Sequence, residues 1–154
     1  MKICRLEIER FRGIRSSTLY FPDHVVLIGD NNTGKSTIFK AIDLALGPDR
    51  LNRRSVIDEH DFFRGEYLPE EGDPTKQIRV EVTIVGLNEE QQNRFVDALE
   101  WWDVAENKLL EEGPVENVDG HSIVPALRVT FIGVYDEEDD DFSGKTYFAR
   151  SLVE

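Results

Sequence analysis

Apolar and polar residues alternate in several short stretches of the chain, and this alternation predicts β-strands. Cys4, Leu6 and Ile8 are separated by charged residues and predict a half-buried first strand. Leu19 and Phe21 predict a second strand, so the chain is expected to begin with a hairpin that turns through FRGIRSS. The same alternation predicts further strands over residues 78–84, 127–131 and 145–153.

The stretch Val25-Val26-Leu27-Ile28 has a different pattern, because all four residues are apolar. A continuous apolar run of this length is typical of a strand that is covered on both faces. A glycine-rich loop follows it, and then Ile38, Ile42 and Ala45 recur at helical spacing. Gly47-Pro48 predicts the end of this helix.

A second helix is predicted in the middle of the chain. Asn88 and Gln91 match a capping box, in which each side chain bonds the other residue's backbone N–H. Phe95, Leu99 and Trp102 fall at i, i+4 and i+7 and form the apolar stripe of this helix. Another helical turn or two is expected to follow through Leu110, ending near Gly113-Pro114. The acidic run from Asp136 to Asp141 is expected to interrupt the strand pattern.

The glycine-rich loop carries the strongest functional signal. Its sequence, Gly29-Asp30-Asn31-Asn32-Thr33-Gly34-Lys35-Ser36, fits G-x-x-x-x-G-K-[ST] at every fixed position. At average residue frequencies, a chance match in a chain of this length has odds of under about one in a hundred. Its position between a buried-type strand and an amphipathic helix is the one that a phosphate-binding loop requires. The pattern therefore predicts a nucleotide site.

The residue types in this loop suit phosphate chemistry. Gly29 and Gly34 allow backbone N–H groups to turn toward phosphate oxygens, and the positive end of the following helix adds to the attraction. The ammonium group of Lys35 can reach the β- and γ-phosphates, while the hydroxyl of Ser36 can bind Mg²⁺. Ser36 is therefore the predicted metal-binding residue.

The elements around the loop resemble the N-terminal half of the ABC-type ATPases of DNA maintenance, the SMC and RecF-like group. In those proteins a first strand ends in FRG or FRS and a second strand leads to the phosphate loop. Here LEIERFRGI, STLYFP and VVLIGDNNTGKST follow in that order. NNTGKST, with Asn32 where many of these proteins have glycine, is more similar to the OLD (overcoming lysogenization defect) family of ATP-dependent endonucleases, as is ALGPDRLNRRSVIDEHDFF. The resemblance is specific over residues 1–65.

This resemblance implies ATP as the nucleotide, and it implies roles for further residues. Arg12 would be a second phosphate contact beside the loop, although an arginine that merely flanks a turn remains the alternative. Asn31, Asn32 and Thr33 would lie within the phosphate loop, and Thr37 would lie beside the α-phosphate. The full-length parent is expected to be a homodimer.

The net charge of −13 is unevenly distributed along the chain. Residues 1–54 hold ten Lys and Arg against six Asp and Glu, a net charge of +4, whereas residues 55–154 have a net charge of −17. The acidic part would repel a nucleic-acid backbone, so contact with DNA is expected only through parts outside this chain. No apolar run approaches the roughly 20 residues of a membrane helix. With Cys4 as its lone cysteine, the chain is predicted to be cytoplasmic.

The main alternative hypothesis for the function depends on two carboxylates. FIGVYDE, which contains Asp136 and Glu137, imitates the apolar strand ending in Asp-Glu that holds metal and attacking water in ABC-type ATPases. However, its strand alternates with Arg128 and Thr130, whereas the required strand is buried on both faces, and no LSGG-like signature precedes it. If these carboxylates served the loop, the chain would be a self-contained nucleotide-binding switch or kinase-like enzyme.

Two other candidates have simpler interpretations. The run Asp58-Glu59-His60-Asp61 could suggest a metal site, but four adjacent residues cannot all point inward, so a solvated or capping loop is predicted. Trp101 and Trp102 could suggest a platform for base stacking. Acidic residues surround both, and packing in a core or an interface is favoured.

A chain of 154 residues is long enough for one domain with a real core. We predict a single α/β domain over residues 1–154, the N-terminal lobe of a P-loop NTPase, with a P-loop helix on a mixed sheet containing antiparallel strands. Residues 1–50 would form the hairpin, the P-loop strand and the helix, and residues 51–154 further strands and a helical insertion. The final RSLVE, without a closing helix, suggests a truncated lobe.

The functional hypothesis is an ATP-binding lobe of an ATP-dependent DNA endonuclease or DNA repair ATPase, with the nuclease domain absent from this chain. The lobe alone is expected to hydrolyse ATP barely above background, because phosphoryl transfer also needs an oriented water molecule.

Overall fold

Seven strands and two α-helices form in the part of the chain that the computed structural model describes, residues 1–30, 34–48, 56–70, 76–111, 113 and 122–152. The strands are β1 (Lys2–Phe11), β2 (Ile14–Tyr20), β3 (Ile78–Val85), β4 (Glu100–Asp103), β5 (Lys108–Leu110), β6 (Ile123–Asp136) and β7 (Asp141–Phe148). The helices are α1 (Lys35–Leu46) and α2 (Glu89–Arg94). Short 3₁₀ turns cover Glu59–Asp61, Phe63–Gly65, Val96–Ala98 and Ala149–Leu152.

The strands join in one sheet with the order β2-β1-β3-β6-β4-β5. β6 is long enough to use its outer edge twice, since its first residues pair with β4 and its later ones with β7. Each of the pairings among the described strands is antiparallel. The predicted α/β class, with antiparallel strands and a P-loop helix, is confirmed.

One face of this sheet is apolar and packs against α1. Leu6 pairs with Val82, and Ile8 with Val80, so these side chains share a face. They form a buried cluster with three residues of the helix, Ala41, Leu44 and Ala45. The half-buried alternation that predicted the first strand is therefore confirmed, and the helix is held against the centre of the sheet.

The other face carries a charged network around Glu81, whose side chain is 2% exposed. Its carboxylate accepts hydrogen bonds from Arg5 at 3.2 Å, Arg79 at 2.5 Å, Arg128 at 3.3 Å and the hydroxyl of Thr130 at 3.1 Å. These partners lie on three neighbouring strands, because Glu81 on β3 is between β1 and β6. Four hydrogen bonds compensate for the desolvation of this carboxylate.

The expected strand at residues 25–28 is wrong, since this segment has no strand conformation. Its side chains are also not covered on both faces, because Val26 is 79% and Ile28 is 91% exposed. An apolar run becomes a strand when neighbouring strands accept its backbone hydrogen bonds. Among the described strands, none pairs with this segment.

The long second helix is also wrong beyond its first turns. The capping box of Asn88 and Gln91 forms as predicted, but α2 ends at Arg94 and a 3₁₀ turn over Val96–Ala98 follows it. The chain then becomes extended, and β4 and β5 form a hairpin on the edge of β6. Trp102 is 1% exposed within that sheet.

Several strands begin or end at other residues than the sequence predicted. β2 begins at Ile14, so only a short turn separates it from β1. The acidic run interrupts the strand pattern as predicted, because it forms the tight turn between β6 and β7, with Asp140 at φ 48°. β7 therefore spans Asp141–Phe148, and a 3₁₀ turn follows where a strand was expected.

Candidate nucleotide-binding site

The N-terminus of α1 has the backbone arrangement that an anion site needs. Gly34 is its N-cap and has φ 86° and ψ 7°, a left-handed conformation that favours glycine. The first hydrogen bond within the helix runs from the N–H of Ile38 to the carbonyl of Gly34, at 3.1 Å. The N–H groups of the residues before Ile38 in this turn therefore have no partner inside the helix.

This helix end carries no acidic residue in its first turn. Among the described residues, no side-chain hydrogen bond caps it. The aligned peptide dipoles of the helix place roughly half a positive elementary charge there. By contrast, Asn88 caps α2, which carries Glu89 and Glu90 in its first turn. The N-terminus of α1 thus differs from that of α2 in having neither a side-chain cap among the described residues nor acidic residues in its first turn.

Lys35 spans the loop from the helix back to its start. Its ammonium group donates a hydrogen bond to the carbonyl of Gly29, at the beginning of the predicted phosphate loop. Lys35 is the first residue of α1 and is half-buried. The contact places a cation beside the uncapped helix end, where a phosphate could exchange for the carbonyl.

The remaining loop residues divide into two groups. Asn31, Asn32 and Thr33 lie outside the described residues. Ser36 and Thr37 lie in the first turn of α1, with Ser36 exposed and Thr37 half-buried. An exposed hydroxyl at the second position of the helix can bind Mg²⁺ beside a bound phosphate. Among the described residues, no group of three or more His, Cys, Asp and Glu side chains could hold a metal ion.

Arg12 occupies the turn after β1 in a left-handed conformation, with φ 50°. Its Nε donates a hydrogen bond to Oδ1 of Asp61 at 2.9 Å, and its backbone N–H donates to the carbonyl of Asp61 at 2.7 Å. Its side chain is 36% exposed. This ion pair was not predicted from the sequence, although the spacing of Asp58 and Asp61 is that of a capping box.

The predicted capping loop at Asp58–Asp61 is confirmed. Asp58 accepts a hydrogen bond from the N–H of His60 at 2.8 Å, and Asp61 accepts one from the N–H of Asp58 at 3.1 Å. Asp61 is buried, whereas its three neighbours are exposed. Packing of Trp102 is confirmed as well, with Cys4, Val85 and Ala126.

The carboxylates of the alternative function lie at a hairpin turn. β6 runs antiparallel to both β3 and β7, and Asp136 pairs with Asp141 at its end. Oδ1 of Asp136 accepts hydrogen bonds from the N–H groups of Glu138 at 2.9 Å and Asp139 at 3.4 Å. This placement explains Asp136 as a turn residue and provides no observation in favour of a metal-binding strand.

A family model for the AAA ATPase domain matches residues 1–111. The chain belongs to that family. The matched region includes the whole of the glycine-rich loop and α1. The predicted ATPase identity is therefore confirmed at this level.

Curated relatives match parts of this chain. Uncharacterized proteins of Mycobacterium tuberculosis and Mycobacterium bovis are each 42% identical over 59 residues, which is 36% of this chain and 7% of each relative. Structural maintenance of chromosomes protein 1 of Schizosaccharomyces pombe is 33% identical over 69 residues, which is 44% of this chain and 6% of the relative. The chain thus spans less than a tenth of the length of these relatives.

A solved structure described in terms of ATP-driven dimerization and DNA-stimulated activation of SMC ATPases aligns with 97% of this chain and 74% of that chain. The TM-score is 0.47 and the sequence identity is 17%. Among the described residues of the chain, no helix has the length and apolar character needed to cross a membrane.

Proposed function

We propose that this chain is the ATP-binding lobe of an SMC/RecF-like ATPase of the OLD type. The observation that carries the proposal is the uncapped N-terminus of α1, with Gly34 in a left-handed conformation and Lys35 bonded across the loop to Gly29. Backbone N–H groups, a helix dipole and a lysine converge there, which is the combination that binds nucleotide phosphates.

The proposed roles follow from position in the loop and the first turn of the helix. Backbone N–H groups between Gly29 and Gly34 surround the phosphates, and Lys35 contacts the β- and γ-phosphates. Ser36 provides the hydroxyl that binds Mg²⁺, and Thr37 lies beside the α-phosphate. Arg12 is a second phosphate contact. Bound Mg²⁺ would neutralise charge on the β- and γ-phosphates.

The parent protein is proposed to be an ATP-dependent DNA endonuclease or DNA repair ATPase that works as a homodimer. The similarity to a structural maintenance of chromosomes protein supports a role in DNA maintenance. An LSGG-like segment and a buried strand ending in Asp-Glu, encoded downstream of residue 154, would support the lobe assignment. A continuation without either would favour a different class of P-loop protein.

Titration calorimetry with Mg·ATP tests the nucleotide site. The wild-type chain should bind, and Lys35→Ala should bind at least about tenfold more weakly, because a hydrogen bond to a charged group contributes roughly 1.5–3 kcal/mol. The matched control is Lys40→Ala on the same helix, since Lys40 pairs with Asp43 at 3.5 Å. Equal affinities for Lys35→Ala and the wild type would remove Lys35 from the site, and absence of wild-type binding would overturn the proposal.

A further inference from the structure

We infer that Asp61 is a positioning residue for Arg12, and that it orients the guanidinium group toward the nucleotide phosphates. The inference rests on the proposed function, in which Arg12 is a phosphate contact. It adds a residue from the segment after α1 to a site otherwise built from the glycine-rich loop and the end of β1.

Two contacts to Asp61 hold Arg12 in place. The side-chain carboxylate of Asp61 accepts from Nε of Arg12, and its main-chain carbonyl accepts from the N–H of the same arginine. The guanidinium carbon also lies 5.2 Å from the ring centroid of Phe11. Contacts to both the backbone and the side chain restrict the rotamers available to Arg12.

Asp61 is itself fixed. Its side chain is only 10% exposed, and its second oxygen, Oδ2, accepts from the N–H of Asp58 in the capping box. Both carboxylate oxygens are thus engaged, one in the capping box and the other with Arg12. A carboxylate fixed in this way can orient a partner that is more mobile and more exposed.

The segment that carries Asp61 is joined to the end of β1 on both sides of this pair. Phe62 forms a β-bridge with Phe11, and both rings are in the buried core. Arg10 pairs with Glu66 at 3.3 Å. Arg10 and Arg12 both have positive φ angles, of 53° and 50°. Such conformations persist where surrounding contacts determine them, and they are concentrated at functional sites.

The geometry leaves one edge of the arginine for a ligand. Asp61 uses Nε, and among the described residues Nη1 and Nη2 of Arg12 have no hydrogen-bond partner. Two parallel N–H groups on a planar guanidinium match a phosphate in a bidentate arrangement. Asp61 therefore occupies the Nε edge of the guanidinium group, and we place the phosphate at the edge formed by Nη1 and Nη2.

Calorimetry with Mg·ATP on Asp61→Asn, Arg12→Ala and the double variant tests this coupling. Asparagine retains an oxygen for the N–H of Asp58 but loses the ion pair. Asp61→Asn should weaken binding about threefold to tenfold, which corresponds to releasing one rotamer-rich side chain. The double variant should bind as Arg12→Ala does, because Asp61 acts through the arginine.

Two further variants separate positioning from charge and from folding. Arg12→Lys keeps the charge and leaves Asp61 intact, but it lacks the Nε–H and the fork, so it should lose nearly as much affinity as Arg12→Ala. Glu66→Gln breaks the neighbouring ion pair with Arg10 and should bind ATP as the wild type does. Wild-type affinity in Arg12→Lys would show that charge alone suffices and would overturn the inference.

Other outcomes have distinct meanings. Unchanged or tighter binding by Asp61→Asn would overturn positioning, as would an equal loss caused by Asp61→Asn in the Arg12→Ala background. If Lys35→Ala weakens binding while the Asp61 and Arg12 variants do not, the nucleotide site stands and this inference fails. Absence of wild-type binding would overturn the proposed function and this inference with it.

Discussion

At the scale of single residues, the charges on the polar face of the sheet are interdependent. Glu81 is surrounded by Arg5, Arg79 and Arg128, and Arg128 also donates two hydrogen bonds to Glu100, at 2.8 and 2.7 Å. The bond to Glu100 and the nearby charge of Glu81 raise the pKa of Arg128. Removal of the Glu81 carboxylate would leave Arg5, Arg79 and Arg128 without their shared buried partner.

We expect Glu81→Ala to lower the free energy of unfolding by about 3 kcal/mol, because breaking a buried ion pair leaves uncompensated charge. The measurement is urea unfolding, with an unchanged m-value as evidence that the loss is one of stability. Glu9→Ala is the matched control, since Glu9 is exposed and pairs with Arg79 at 3.5 Å, and it should cost less than about 1 kcal/mol. A loss of similar size in both variants would show that burial of Glu81 is unimportant.

The site shows what sequence can predict for single residues. The glycine-rich loop was recognisable because its chemistry requires fixed residue types at fixed spacing. The partner of Arg12 was not, because 49 residues separate it from Asp61 and an ion pair has no spacing rule. Asp61 was instead predicted as part of a capping loop, which is only one of its two functions.

At the scale of elements, alternation predicted β1 and β3, and helical spacing predicted α1, because the apolar residues of each element face one shared core. It failed between residues 95 and 110, where Phe95, Leu99 and Trp102 have helical spacing. In the structure Phe95 and Leu99 pack with Phe148, whereas Trp102 packs with Cys4 in a different cluster. Three residues at helical spacing thus serve two separate clusters, and a tryptophan favours strands in any case.

The β6–β7 hairpin depends on glycine for close packing. A Cβ atom at Gly144 would lie 2.5 Å from Cζ of Phe131, whose ring is buried in the core. Gly144→Ala should therefore cost about 1–3 kcal/mol of unfolding free energy, as measured by urea unfolding. Gly13→Ala is the control, because no atom lies within 4 Å of the added Cβ and no positive φ is involved. Equal stability of the two variants would mean that Phe131 can move aside freely.

At the scale of the whole molecule, the part of the chain that holds the proposed nucleotide site is net positive and the rest is net negative. The ten basic residues of 1–54 include those of the proposed phosphate site, while the remaining hundred residues have a net charge of −17. Electrostatic attraction to a nucleic-acid backbone depends on basic residues that can displace counterions. The larger part of this chain would oppose such binding.

We therefore expect the chain to show little affinity for duplex DNA at physiological salt. A gel mobility assay at low micromolar protein concentration is the measurement, and a parallel series at about 50 mM salt would reveal weak contacts made by residues 1–54. A clear shift at physiological salt would contradict this expectation. It would place a DNA-binding surface on the chain itself.

The exposed apolar side chains around the start of the phosphate loop affect the solubility of the chain. Val26, Ile28 and Phe39 are well exposed, and exposed apolar side chains favour self-association. The surplus negative charge opposes this association, since molecules of like charge repel one another at neutral pH. As the pH falls toward the isoelectric point of about 4.6, that repulsion disappears while the apolar attraction remains. We therefore expect the chain to precipitate near this pH, because of the same segment that leads into the nucleotide site.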